Sequence, residues 1–171
     1  MAGEKILKLV SGKISESLTT QSGGAGSENK IPSLDSTGRL SVSMMPVGLG
    51  DEAFDLVAFE ALSAGDYVNI FNDGGVAKVR KADASSPGKE ANGFVLDYVA
   101  FGQVAHVYKE GANTQSTTLT PASLCYLSST QPGKPTLVIP STSGHIVQVL
   151  GKAISSSVLV SEPIQMPVVL A

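Results

Sequence analysis

Beyond residue 53 the chain is cut into short apolar segments by Gly, Pro, Asn and Asp, with a turn signal roughly every 8–12 residues. That spacing leaves no room for helices of ordinary length and suits strands. The sharpest signal is Asn72-Asp73-Gly74-Gly75, which supplies the positive backbone angles of a tight hairpin. Before it, Tyr67 to Phe71 alternates, with Val68 and Ile70 on one face and Tyr67, Asn69 and Phe71 on the other. After it, Val76 to Lys81 returns as the partner strand. Further strands are expected at 55–61, 94–99, 104–109, 124–127, 136–139, 145–150 and 158–160. Loops are expected at 84–89, 110–113, 128–135 and 140–144. Gly151 marks a bulge or bend. Prolines fall at strand ends, where edges and corners tolerate them. The sum is an all-β fold: a small β-barrel or β-sandwich body, with no βαβ unit.

The first 50 residues differ in character. Ile6-Leu7-Lys8-Leu9-Val10 is apolar, and Ile14 and Leu18 follow. Ile6, Val10, Ile14 and Leu18 recur every four residues, as in a helix, while Leu7 and Leu9 alternate as in a strand; both readings stand. Either way, one apolar edge lacks a neighbouring segment to cover it. Gln21 to Ser27 has linker composition. Lys30 to Gly50 then forms a joint, with Pro32 and Pro46 near its ends and a turn signal at Asp35-Ser36-Thr37-Gly38. Met44-Met45 is either a local packing element or an adaptable contact on a partner. Fully extended, the first 50 residues would reach on the order of 100 Å or more. The expected organisation is therefore an extended N-terminal arm and joint (1–50), a β-rich body (51–163) and a C-terminal tail (164–171). The tail is apolar but broken by Pro167, so it packs back on the body or docks on a neighbour. Candidate partner-binding residues are Ile6, Leu7, Leu9, Val10, Met44 and Met45.

Composition bears on which functions fit. The formal net charge is −3, Trp is absent, and the four Tyr and five Phe are scattered. Direct nucleic-acid binding calls for a basic stripe or stacking aromatics, so it is not expected. Lys78, Arg80, Lys81 and Asp83 read as a solvated strand face and its exit. Charged residues make up 16% of the chain, which suits close packing against other chains and equally suits plain small-residue β structure. Cys125 is the single cysteine and sits in an apolar run, as a buried thiol does. His106 and His145, the two histidines, lack metal-ligand spacing. Asp51-Glu52 and Asp73 lack the alternating oxygen ligands of an EF-hand loop. No Gly-x-Ser-x-Gly elbow occurs. The expectation is a protein without catalysis, cofactor or metal, in which His106, His145 and Cys125 are the residues an enzyme reading would have to use. No signal peptide or membrane span is expected, so the chain is made in the host cytoplasm and stays soluble or joins an assembly.

The joint KIPSLDSTGRLSVSMMP resembles a segment common in virion proteins of tailed bacteriophages, of the form K-I-P-x-L-D-x-x-G-R-L-x-x-S-M-M-P. The body continues in that style through ALSAGDYVNIFNDGG, VRKADASSPGKEANGFV and GHIVQVLGKAISSSVLV. These stretches resemble the small β domains of tailed-phage capsid decoration (cement, or head stabilisation) proteins. Related patterns occur in phage fibre and baseplate-associated domains. Thr120-Pro121-Ala122 departs from the more usual Pro-Gly, and residues 1–29 match no family pattern. The resemblance implies a structural virion protein on the outer capsid surface, typically a homotrimer and sometimes a dimer, whose partner is the major capsid protein. The alternative it leaves is a tail fibre, tip or baseplate module used in attachment.

Overall fold

A computed structural model describes residues 5–24, 26–28, 30–34, 38–41, 44–45, 53–164 and 167–171, apart from the side chains of Lys5 and Val10. Asp35, Ser36, Thr37, Pro46, Asp51 and Glu52, all singled out above, lie outside the described residues. The described residues are all β. The chain divides into two units, Met1–Asp51 and Glu52–Ala171.

In the first unit, β1 (Lys5–Val10) and β2 (Lys13–Thr20) form an antiparallel hairpin. The chain reverses at Ser11 and Gly12, both with positive φ. This resolves the open reading of the arm as strand. The four-residue period of Ile6, Val10, Ile14 and Leu18 is not a helical stripe, because the reversal puts its two halves on different strands. Within the arm, residues 5–20 fold back on themselves as this hairpin. β3 (Ile31–Pro32) adds in parallel beside Thr19 and Thr20. The Ser/Gly-rich stretch between them closes through its own serines instead of trailing as a linker. Ser27 Oγ donates to Ser22 O at 2.8 Å, and Ser27 N to Gly24 O at 3.0 Å.

The second unit opens with a closed five-stranded barrel of β4 (Ala53–Ala58), β5 (Tyr67–Asp73), β6 (Val76–Lys81), β7 (Gly93–Phe94) and β8 (Val104–Tyr108), in the order β4-β6-β5-β7-β8. Closure comes from β4, which pairs antiparallel with β8 and parallel with β6, so no strand edge is left open. The β5–β6 hairpin closes at Asp73 opposite Val76, with Gly74 and Gly75 both at positive φ and Gly75 N bound by Asn72 Oδ1 at 2.6 Å. Inside the barrel pack Ala58, Leu62, Val68, Val79, Val95, Val99, Ala105 and Val107.

Against the barrel lies a second sheet. It comprises β9 (Gly111–Asn113), β10 (Leu124–Leu127), β11 (Pro135–Thr136), β13 (Val149–Ala153) and β14 (Leu159–Ser161), in the order β11-β10-β13-β14-β9. Tyr67 and Phe94, from two barrel strands, join Cys125, Leu127, Leu150 and Leu159 from this sheet in a second core. β5 thus buries both faces at its start: Val68 enters the barrel, and Tyr67 enters the core shared with the sheet. The bulge expected at Gly151 is present, since the register slips between Cys125 and Tyr126 opposite it. A Cβ there would meet Val160 O at 2.0 Å, so only glycine fits.

The tail does not stand apart. β15 (Val168–Val169) pairs with β12 (Ile146–Val147) of the same unit. Between β12 and β13 sits Gln148, fully buried. Its side chain accepts from Ala91 N at 2.8 Å and donates to Ala91 O at 2.8 Å and Ile164 O at 2.7 Å. One amide therefore ties a barrel loop, the second sheet and the start of the tail.

Candidate binding surfaces

The register of the N-terminal hairpin decides which apolar residues face together. Leu9 lies opposite Ile14, Leu7 opposite Glu16, and Lys5 opposite Leu18. Directly opposed residues share a face and alternate along each strand. Leu7, Leu9, Ile14 and Leu18 therefore form one apolar face, and they are 71%, 72%, 74% and 49% exposed. The other face carries Ile6, Lys8, Ser15 and Ser17, with Ser17 buried and the rest half-buried. Of the candidate residues, Leu7 and Leu9 sit together on the open face. Ile6 lies on the opposite one, and the Val10 side chain lies outside the described residues. Met44 is half-buried, while Met45 is exposed in the same unit. Ile14 and Leu18 are the face residues absent from that candidate set. The signal that would have found them was the Ser11-Gly12 reversal, which folds β2 onto β1. Among the described residues, the first unit buries no hydrophobic side chain, and Ser17 is its one buried residue. A sheet this small is at best marginal in water without a partner for its apolar face. β1 also forms one edge of the sheet and offers unpaired backbone groups.

The residues an enzyme would have to use lie apart in role. Cys125 is buried in the core between barrel and sheet, and burial pushes its thiol up, away from the reactive thiolate. His106 is exposed on β8, where its Nδ1 meets Asp55 Oδ1 of the facing strand at 2.7 Å and its ring stands edge-on to Tyr108. His145 precedes β12, and its carbonyl accepts from Leu170 N in the tail clamp. Among the described residues, no group of three His, Cys, Asp or Glu side chains could hold a metal ion. No helix among them is long and apolar enough to cross a membrane.

The basic run is tied down, which corrects its reading as a merely solvated face. Lys78 Nζ lies 2.6 Å from Asp73 Oδ2. Arg80 donates to Asn69 Oδ1 and Gly88 O and stacks over Phe71. Lys81, together with Lys134 at 2.5 Å, neutralises Asp66, whose carboxylate is fully buried and accepts from Ser63 N. A buried carboxylate without such partners would destabilise the fold by several kcal/mol, at about 3–5 kcal/mol for a broken pair. Tyr67 is held in a comparable way. Burial pushes its phenol far above the ordinary range, while hydrogen bonding with Ser161 and Asn113 pulls the other way.

No family model, curated protein or solved structure matches this chain.

Proposed function

We propose that the chain is a structural virion protein that decorates the outer surface of a phage head and strengthens contacts between major capsid proteins. The observation that carries this reading is the open apolar face of Leu7, Leu9, Ile14 and Leu18, on a unit with no buried hydrophobic side chain among its described residues. Such a face is covered when it meets another protein. The resemblance of the joint and body to decoration proteins names that protein as the capsid. Covering four partly exposed side chains contributes on the order of 4–8 kcal/mol before ordering costs are subtracted. One arm alone is therefore a weak anchor. Three arms on a homotrimer act at high effective concentration, so the assembly holds where a single chain would leave. Binding that exists only on the assembled shell stabilises that shell by mass action. The low charge of the chain suits such packing, and in this role the protein performs no catalysis.

The test is stoichiometric. Purified protein is mixed with expanded empty capsids of its own phage, and bound copies are counted by quantitative gel densitometry. Saturation at a number set by the shell lattice is the expected result. No binding, with only a handful of copies in the mature virion, would move the protein to the tail and sink the reading.

A further inference from the structure

We infer that the barrel carries a shallow binding groove for neutral carbohydrate, on the loop between β7 and β8. The loop is rigidly held. Val99 and Leu62 exchange backbone hydrogen bonds at 2.8 and 3.0 Å. Gly102 N donates to Ala58 O, and Gln103 N closes a turn on Ala100 O with Gly102 at φ +78. On this fixed backbone two large aromatic residues are held out to water: Tyr98 is 69% exposed and Phe101 70%. Of the two, Tyr98 lines a groove and Phe101 does not.

Tyr98 walls a groove of about 400 Å³, a size within the range of small-molecule sites. Val95 and Val104 supply apolar lining, and Asp97, Gln103 and His106 supply polar groups. Among the described residues, the Asp97 carboxylate and Gln103 carboxamide line the groove without a side-chain hydrogen-bond partner. His106 is fixed through Nδ1 by Asp55, which leaves Nε2 as its uncommitted nitrogen.

The chemistry of these groups selects the occupant. A ring with a flat C–H face stacks on tyrosine, and hydroxyls satisfy a carboxylate and a carboxamide. An anionic ligand such as a nucleotide would meet Asp97 with no Lys or Arg lining the groove. An apolar protein segment would bury Asp97 and Gln103 without partners. A neutral pyranose chain meets all three conditions. The groove lies on the body, away in sequence from the hairpin, so this inference goes beyond the capsid reading and is tested without capsids.

The test uses the isolated full chain and four neutral probes: cellohexaose, maltohexaose, mannohexaose and chitohexaose. Saturation-transfer NMR identifies a binder, and calorimetry measures its affinity. At least one probe is expected to bind saturably. Tyr98→Ala should weaken it by about fivefold or more, while Tyr98→Phe, which keeps the stacking ring, should stay near wild type. Asp97→Asn should weaken it as well. Absence of transfer from all four probes at millimolar concentration overturns the inference. So does equal binding by Tyr98→Ala. A third overturning result is that no sugar binds and Tyr98→Ala instead loses capsid attachment, which makes the groove a protein contact.

Discussion

At the residue scale, a few polar side chains do work that apolar packing cannot. Gln148 is the clearest. Its amide replaces strand pairing at a point where β12 and β13 are interrupted, and it satisfies Ala91 on both its N–H and C=O. Removing it leaves buried backbone groups unsatisfied, at about 1–3 kcal/mol each. Gln148→Ala is therefore expected to lose roughly 3 kcal/mol or more, read as a lower urea midpoint with unchanged slope. An unchanged midpoint would show that water takes over these bonds. Asp66 works in the same way through Lys134 and Lys81. Neither role could be read in advance, because Gln148 and Ala91 are 57 positions apart and only the fold brings them together. Cys125 was legible, since a lone cysteine inside Leu124-Cys125-Tyr126-Leu127 has an obvious place in a core.

At the element scale, strands flanked by strong turn chemistry were legible and the others were not. Asn72-Asp73-Gly74-Gly75 placed both β5 and β6, and the glycine bulge at 151 followed from the same reasoning. β9 was expected to be a loop, because Gly111-Ala112-Asn113 has no strand propensity of its own. It is a strand only because β14 offers it a ladder, with Ala112 opposite Val160. The reverse holds for 136–139, where Thr136-Leu137-Val138-Ile139 is β-branched and apolar, yet only Pro135–Thr136 pairs. Segment 94–99 likewise shortens to Gly93–Phe94, which frees the following residues to form the aromatic loop. In the arm, the helix-like and strand-like periods competed, and the Ser11-Gly12 turn decides between them. That decision makes the hairpin face testable. Leu7→Asp combined with Leu9→Asp puts two charges on the open face and changes no residue of the body. Capsid affinity is expected to fall at least about tenfold, the equivalent of 1.4 kcal/mol, with the thermal transition of the body unchanged. Undiminished affinity would mean that another surface makes the contact.

At the scale of the whole molecule, burial is divided unevenly. The second unit owns both hydrophobic cores, a barrel without open edges and a tail clamped by β12 and Gln148. The first unit shows an apolar face and a strand edge, and no buried hydrophobic side chain among its described residues. One unit can meet the entropy of folding from its own burial; the other, in the proposed role, would be completed by the capsid. All-β architecture was legible from turn spacing, with a barrel as one of its two expected forms, whereas the choice of barrel over sandwich was not. Closure rests on the parallel pairing of β4 with β6, a long-range choice that no local pattern announces. In the proposed role the body folds by itself and the arm does the docking. The most direct test of this division is a chain of residues 52–171, compared with the full chain for thermal unfolding and for sedimentation with expanded capsids. Both chains are expected to show the same cooperative transition, with capsid binding by the full chain alone. Loss of the transition in the shorter chain, or its binding to capsids as tightly as the full chain, would contradict it.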